Sequence, residues 1–314
     1  MPHAGSGETW AKIILFGEHS VVYGQPALAL PLRSLRMRAR VTAAAGLSML
    51  RSLDYAGPLA DSGARFACLR RAVEVALDKV GHPEAQLSVE TVSDFPPERG
   101  MGSSAASAGA VIRAVLGAFS VVATAEELFD LTQRAEQVAH GQPSGLDAVT
   151  TSARGPVHFQ SGHMELVPMN LDAHLVVADS GIRGSTRVAV SGVRTRFESD
   201  PDGVGEVLDE LGELAREAIR DVAEGEIAPL GTAMNRAQQL LTHLGVSDHR
   251  LDLLNAAALG AGALGAKLTG GGLGGCVISL APTVERAEHI RSALRSAGAV
   301  RTWVHPLHPV RVSA

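Results

Sequence analysis

Cysteine is scarce in this chain, because its 314 residues include only Cys68 and Cys276. Two cysteines are too few for a disulfide framework, and the twelve histidines show no Cys/His spacing typical of a zinc site. We therefore expect free thiols, no zinc and, as the default compartment, the cytoplasm.

Aromatic residues are also rare, at 4% of the sequence, although hydrophobic residues make up 46%. The core must therefore rely on Ala, Val and Leu. No apolar stretch is long enough and free enough of polar residues to span a bilayer, and no basic segment precedes an apolar run at the start. The sequence predicts neither a membrane span nor a signal peptide.

Positive charge is not in excess, because the formal net charge is -5. Binding to nucleic acid needs a clustered cationic surface, and the nearest basic run, between Arg33 and Arg40, has the spacing of an exposed strand face. We expect no nucleic-acid partner and no membrane partner.

Lysine is the rarest charged residue, with three among the 28 basic residues. Where a chain uses arginine so heavily, a remaining lysine indicates a need for a compact ammonium group. The three are Lys12, Lys79 and Lys267, and two of them lie beside glycine-containing motifs.

Strand and helix patterns are interleaved without repeats, which predicts an α+β protein of two packed domains. We place these domains at residues 1–182 and 183–314. Strands are expected at residues 12–16, 27–32, 37–45, 86–97, 173–180, 276–280 and 299–304. Helices are expected at residues 65–80, 103–119, 124–141, 186–224, 226–243, 248–264 and 283–297. The helix at Thr124 should begin with a capping box through Glu127.

Two glycine-rich segments stand out. Residues 100–107, GMGSSAAS, follow a predicted strand and open a predicted helix, so that exposed amides, serine hydroxyls and the helix dipole favour a bound anion. They do not form a Walker A loop, because no Gly-Lys-Ser/Thr follows, and a tight turn with serine caps stays open as an alternative. Residues 270–275 match GxGxxG by letter, but a strand follows, which excludes a dinucleotide-binding turn.

Acidic residues lie near both ends of the segment AEQVAHGQPSGLD. Glu136 and His140 share a helical face, and Asp147 follows a Pro-Ser-Gly turn. Two carboxylates, paired serines and a lone lysine are the parts that hold Mg-ATP and transfer a phosphoryl group. A solvated helix face for Glu136 and a helix cap for Asp147 stay open as alternatives.

The stretch KIILFGEHSVVYG raises a different question, because Glu18 and His19 interrupt an apolar strand. Such a pair either faces solvent on a turn or points into a site. The residues alone leave both alternatives open.

Taken together, the motifs resemble those of the GHMP superfamily of small-molecule kinases and, within it, the mevalonate kinases, over essentially the whole chain. The three family motifs are AKIILFGEHSVVYGQPALALPL, PPERGMGSSAAS and AKLTGGGLGGC. HGQPSGLD and ADSGIRGSTRVAVSGV are similar to segments particular to mevalonate kinases. The resemblance implies the two-domain GHMP kinase fold, with an N-terminal domain like ribosomal protein S5 and a ferredoxin-like C-terminal domain.

The resemblance also implies ATP-dependent phosphorylation of the 5-hydroxyl of (R)-mevalonate. Asp147 would be the catalytic base, and Lys12 would neutralise charge on the γ-phosphate. Glu136 and Ser104, or else Ser103, would ligate Mg²⁺. Family analogy alone suggests a homodimer.

Substrate and nucleotide contacts follow from the same resemblance. Glu18 and His19 would point inward, with His19 at the carboxylate or the hydroxyls of mevalonate, and Thr186 would lie near the substrate. The residues expected to bind ATP are Gly100, Met101, Gly102, Ser103, Ser104, Ala105, Gly271 and Gly272.

Two positions depart from the usual family pattern. Thr9-Trp10-Ala11 replaces a small-Pro-Gly sequence, and Leu273 stands where bacterial relatives often have arginine. Neither change removes a group that the chemistry needs. The nearest rival hypothesis is another GHMP small-molecule kinase, above all a phosphomevalonate kinase, for which Arg183 and Arg187 would have to supply a phosphate pocket. The other rivals are a non-catalytic sensor of ATP and ligand and an ATP-dependent decarboxylase relative.

Overall fold

The computed structural model describes residues 2–141, 143–184 and 186–310, without the side chains of residues 139 and 140. The strands found there are β1 (Gly5–Phe16), β2 (Ala27–Ala43), β3 (Met49–Ser52), β4 (Tyr55–Pro58), β5 (Leu87–Ser93), β6 (Val157–Gln160), β7 (His163–Leu166), β8 (Ala173–Asp179), β9 (Gly265–Thr269), β10 (Cys276–Ala281) and β11 (Arg301–Leu307). The α-helices found there are α1 (Ala67–Lys79), α2 (Ser103–Ala118), α3 (Ala125–His140), α4 (Leu146–Thr150), α5 (Thr186–Ser199), α6 (Pro201–Glu224), α7 (Ile227–His243), α8 (His249–Gly260) and α9 (Val284–Ser296).

The chain forms two compact units, each assembled from separate segments. Unit 1 contains the chain up to Lys12 together with Pro31–Pro97 and Gly102–Ser152. Unit 2 contains Ile13–Leu30, Glu98–Met101 and the chain from Ala153 onward. These units differ from the domains expected at 1–182 and 183–314, and that boundary stays a prediction.

Unit 1 packs α1, α2 and α3 against one another beside strands paired in the order β4-β3-β5-β2. Small side chains make this packing close. A Cβ atom added to Gly5 or Gly7 of β1 would lie 2.0 Å from the carbonyl oxygen of Ala114 or Ala110 of α2, respectively. Glycine is therefore required there, because β1 rests directly on the backbone of α2.

Unit 2 contains an antiparallel sheet in the order β11-β8-β10-β9. Every residue of β9 and β10 is buried, as expected for strands covered on both faces. Ile278 of β10 lies opposite Lys267 of β9, so the position of this lysine is fixed by the register of the β9–β10 pair. The helices α8 and α9 pack against the sheet.

Several predicted elements are confirmed. The helices α1, α2 and α3 lie where the sequence indicates, and Thr124 and Glu127 form the expected capping box. The arginines of β2 line its exposed face, as their spacing predicts. Among the described helices, none combines the length and the apolar character needed to cross a membrane.

Other predictions of element boundaries were wrong. The segments expected at 27–32 and 37–45 belong to one continuous strand, β2, which ends at Ala43. It pairs with β6 at Ala27–Ala29 and with β5 at Met37–Ala43, and β1 also pairs with it. The helix expected at 186–224 divides into α5 and α6 at Asp200, whose side chain accepts a hydrogen bond from the amide of Gly203. The prediction also missed β3, β4, β6, β7 and β9.

Candidate active site

The first cluster of predicted site residues lies in unit 1 and centres on an ion pair. Nζ of Lys12, near the middle of β1, lies 2.8 Å from Oδ1 of Asp147 in the first turn of α4. The Lys12 side chain is 4% exposed, whereas the Asp147 side chain is 42% exposed. A buried ammonium thus holds a carboxylate that solvent, or a ligand, can still reach.

The start of α2 lies beside this pair. Gly102 precedes the helix with a φ of 68°, and a Cβ atom on it would lie 2.7 Å from Cγ of Lys12. No side-chain cap hydrogen bond is formed at this helix end, and the backbone amides of a first helical turn are the groups that bind anions in phosphate loops. Glycine is required at position 102 both for its backbone conformation and for the room that Lys12 occupies.

Glu136 projects from α3 towards the same helix end. The hydroxyl of Ser104 and the thiol of Cys68 both donate hydrogen bonds to Oε1 of Glu136, the thiol at 3.1 Å. Glu136 and Cys68 are both buried. Burial raises the pKa of the Cys68 thiol, and the charge of Glu136 raises it further, so Cys68 stays a neutral donor. The side chain of His140, predicted to share this face, lies outside the described residues.

The oxygens of Ser104 and Glu136 fit a magnesium ion. Mg²⁺ prefers hard oxygen ligands and is commonly bound through one or two carboxylates together with substrate phosphates. Within the described residues, no group of three or more His, Cys, Asp or Glu side chains converges as a complete protein cage would. The arrangement is therefore suited to a metal ion that arrives with phosphate oxygens.

The second cluster lies in unit 2, where β1 ends at Phe16. Gly17 turns the chain with a φ of 100°, and a Cβ atom on it would lie 2.5 Å from Cα of Ala27. Glu18 and His19 follow, both buried, and a 3₁₀ helix begins at Ser20. These two side chains therefore point inward, as the resemblance implies.

Glu18 pairs with a lysine that the sequence analysis singled out without assigning it a role. Nζ of Lys267 forms a hydrogen-bonded ion pair with Oε1 of Glu18 and donates a second hydrogen bond, of 2.8 Å, to the carbonyl of Leu268. Both side chains are sealed from solvent, at 0% and 1% exposure. Burial lowers the pKa of Lys267, and the Glu18 carboxylate opposes that shift.

His19 is held in an unusual conformation, with a φ of 63° and a ψ of -47°. Its Nε2 lies 3.0 Å from the carbonyl oxygen of Gly271, and a carbonyl only accepts, so Nε2 carries the hydrogen. Burial lowers the pKa of His19, and the charge of Lys267 lowers it further, while the bond to Gly271 raises it. The ring is therefore neutral, and Nδ1 is a hydrogen-bond acceptor.

The glycine-rich segment at residues 270–275 contacts both His19 and Thr186 through Gly271. A Cβ atom on Gly271 would lie 2.8 Å from both Cα and Oγ1 of Thr186, at the first turn of α5. Gly272 has a φ of 77° and lies against the carbonyl of Val246. Leu273 also has a positive φ, of 50°, which is uncommon for a residue with a side chain.

The glycine-rich segment at residues 100–107 is called the Gly-Ser loop below. Its first two residues, Gly100 and Met101, belong to unit 2. A Cβ atom on Gly270 would lie 3.1 Å from Cα of Gly100, so the two glycine-rich segments touch. The loop is fixed from below by Arg99, whose Nε donates a 2.9 Å hydrogen bond to the buried carboxylate of Asp179. Met101 is fully buried, so its side chain belongs to the core.

Sequence reasoning missed the contacts of three residues around these clusters. Lys267 was conspicuous as one of three lysines, and that scarcity was the available signal. Cys68 and Asp179 gave none, because their partners Glu136 and Arg99 lie 68 and 80 positions away in the chain. A pairing between distant residues leaves no local pattern.

Known proteins are similar to this chain over most of its length. Family models match residues 67–155, described as the N terminal domain of GHMP kinases, and residues 206–300, described as GHMP kinases C terminal. The mevalonate kinase of Thermococcus sibiricus is 37% identical and that of Pyrococcus horikoshii 36% identical. Each alignment covers 92% of this chain and 92% of the relative.

Solved structures agree with these sequence relatives. L. major mevalonate kinase in complex with R-mevalonate superposes with a TM-score of 0.87 over 99% of this chain and 100% of that chain, and at 24% identity it shows the fold. Mevalonate kinase from methicillin-resistant Staphylococcus aureus is 30% identical, with a TM-score of 0.75 over 97% of this chain and 99% of that chain. The chain has the two-domain GHMP kinase fold, and it belongs to the GHMP kinase family, among the mevalonate kinases.

Proposed function

We propose that this protein transfers the γ-phosphoryl group of ATP to the 5-hydroxyl of (R)-mevalonate, giving 5-phosphomevalonate and ADP. The main support is the Lys12–Asp147 pair, in which a buried ammonium holds a partly exposed carboxylate. The choice of substrate is supported by similarity to curated mevalonate kinases over 92% of the chain.

In this reaction the 5-hydroxyl oxygen attacks the γ-phosphorus, and the bond from that phosphorus to the bridging oxygen of ADP breaks. Asp147 accepts the hydroxyl proton as general base. Lys12 offsets the negative charge gathered around the transferred group. Because the transition state is loose, positioning and charge provide most of the rate enhancement.

The Gly-Ser loop is our proposed site for the phosphates of ATP. The backbone amides of residues 100–105 would contact the phosphates, and Gly271 and Gly272 would allow a close approach of backbone to the nucleotide. Ser104 and Glu136 would hold Mg²⁺, which would offset charge on the phosphates when bound. The hydrogen bond between these two side chains supports their pairing.

For mevalonate we propose contacts with His19 and Thr186, which meet through Gly271. A neutral imidazole with an accepting Nδ1 suits a hydroxyl donor better than a carboxylate, so we choose a hydroxyl as the partner of His19. The predicted role of Glu18 as a substrate contact is replaced by an indirect one, because its carboxylate is buried against Lys267.

Two further proposals concern the surroundings of the protein. We keep the cytoplasm as the compartment, because both cysteines are buried free thiols, as suits a reducing environment. A homodimer rests on family analogy.

The deciding experiment measures ADP release from Mg-ATP with mevalonate, phosphomevalonate, homoserine and galactose in parallel. We expect turnover with mevalonate alone and a phosphorylated product identified by ³¹P NMR. Turnover with phosphomevalonate instead would favour the rival kinase, although Arg183 already pairs with Glu98 at 3.3 Å. ATP binding without turnover of any of the four would favour the sensor.

A further inference from the structure

Strand β9 and the loop after it contact the end of β1 and the turn that follows at three successive points. Oγ1 of Thr269 accepts from the amide of Ile14 and donates to its carbonyl, both at 2.9 Å. Lys267 pairs with Glu18, and the carbonyl of Gly271 accepts from His19. The side chains of Lys267 and Thr269 lie on one face of β9, because side chains two residues apart in a strand share a face. Together with the carbonyl of Gly271, just beyond the strand, they fix residues 14–19.

The buried pair is a costly way to make such a contact. Removing two charges from water costs solvation free energy, and their mutual attraction often does not fully offset that cost. A buried ion pair is therefore weak evidence for stability. Lys267 is nevertheless fully buried, in a chain that uses arginine at nearly all its other basic positions. A compact ammonium fits where the planar guanidinium of arginine does not. The pair is better explained by the backbone conformation that it enforces at Glu18.

The residue held in place by that conformation is His19. A non-glycine residue with this φ and ψ is strained, and strain of this kind persists only when the surroundings determine the conformation. The residue before it, Glu18, is anchored by Lys267, and the His19 ring is anchored by Gly271. Anchors on both sides hold the imidazole in one orientation and one tautomer.

We infer that Lys267 is a positioning residue for substrate binding: through Glu18 it holds the turn that presents Nδ1 of His19 to a hydroxyl of the substrate. This inference rests on the proposed function for the identity of the substrate. The role of Lys267 itself follows from contacts within unit 2.

The test compares Lys267→Met with Lys79→Met, a matched change at a partly exposed lysine that pairs with Glu127. For Lys267→Met we expect the KM for mevalonate to rise about tenfold or more, as for the loss of one well-placed hydrogen bond, with the KM for ATP within about twofold. Lys79→Met should leave both KM values unchanged. A folded Lys267→Met protein with an unchanged KM for mevalonate would overturn the inference.

A second variant tests the inference even if the Lys267→Met protein does not fold. Replacing both partners, Glu18→Leu with Lys267→Met, leaves no unpaired charge, so it should fold while still raising the KM for mevalonate. Recovery of the wild-type KM in this double variant would also contradict a positioning role.

One readout does not depend on the substrate. ¹⁵N NMR of histidine, assigned by comparison with His19→Gln, should show the Nε2–H tautomer of His19 in the wild type and a mixture of tautomers in Lys267→Met. An unaltered His19 signal would reject the inference. Loss of the single tautomer in a protein that fails to phosphorylate mevalonate would support it and reject only the proposed function.

Discussion

Two lysine–carboxylate pairs, Lys12–Asp147 in unit 1 and Lys267–Glu18 in unit 2, use the same chemical groups in opposite surroundings. In the first, the lysine is buried and the Asp147 side chain is 42% exposed. In the second, neither side chain is more than 1% exposed. A carboxylate that keeps contact with solvent can exchange partners and take up a proton, whereas a sealed pair can only hold its neighbours in place. Solvent access therefore distinguishes the pair that we propose to be catalytic from the pair that we propose to position His19.

The largest expected effect comes from breaking the partly exposed Lys12–Asp147 pair. Asp147→Ala should lower kcat by about 10²–10⁴-fold, because the general base is lost, while the Kd for ATP should stay close to that of the wild type. Steady-state kinetics and calorimetric titration of ATP check the two parts. Asp94→Ala, which removes a carboxylate that pairs with Arg38 near the surface, is the matched control and should leave kcat unchanged. Comparable kcat in Asp147→Ala would remove Asp147 from its role.

Breaking the buried Lys267–Glu18 pair should lower the free energy of unfolding. Lys267→Met alone leaves a buried, uncompensated Glu18 carboxylate and should lower the free energy of unfolding by about 3–5 kcal/mol. The double variant Glu18→Leu with Lys267→Met should recover most of that loss, as urea unfolding would show. Lys79→Met should cost less than about 1 kcal/mol, because its pair is partly exposed. Equal losses in the single and double variants would mean that packing, and not charge, is responsible.

A third prediction concerns His305, a half-buried histidine that, unlike Lys267, has another basic residue, His308, nearby. Burial lowers the pKa of His305 to about 4, and the charge of the nearby His308 adds to the shift. Since the unfolded state binds the proton more tightly, stability is full above about pH 6.5 and falls as the pH drops towards 4. The free energy of unfolding should lose about 2 kcal/mol between pH 7 and pH 5 from this group.

The control for this pH dependence is His305→Asn, which removes the titrating group. It should lose about 2 kcal/mol less than the wild type over the same pH range. The lowered pKa of His19 acts in the same direction and should remain in the variant. Parallel curves for the two proteins would show that His305 does not contribute.

The smallest expected effect concerns Ser20, which lies two residues after Glu18 in the chain. The hydroxyl of Ser20 is buried, and no hydrogen-bond partner for it lies among the described residues. Ser20→Ala removes a desolvated, unpaired hydroxyl, so the free energy of unfolding should stay level or rise by about 1 kcal/mol. Ser279→Ala, which deletes a buried hydroxyl that donates to Val176, should lower it. A clear loss in Ser20→Ala would reveal a bound water or other partner.

The sequence by itself determined the local structure and much of the chemistry. Three features follow from neighbouring residues, because capping and periodicity act over a few positions. They are the capping box at Thr124, the small-residue helix that begins within GMGSSAAS and the exposed arginine face of β2. The scarcity of lysine drew attention to both lysines whose pairs are compared above. The Asp-Pro start of α6 was an available signal that the prediction did not use.

Only the tertiary structure decided which charged groups meet and how exposed each one is. Lys267 and Glu18 lie 249 positions apart, and the sequence around neither residue names the other. The continuity of β2 past Pro31 was likewise visible only in the structure, where the strand pairs with β6 at one end and with β5 at the other. Burial and partner choice depend on contacts between distant segments, whose free energies are absent from any local window of sequence. For that reason the sequence could supply two lysines, but only the fold gave one of them a partly exposed carboxylate partner and the other a buried one.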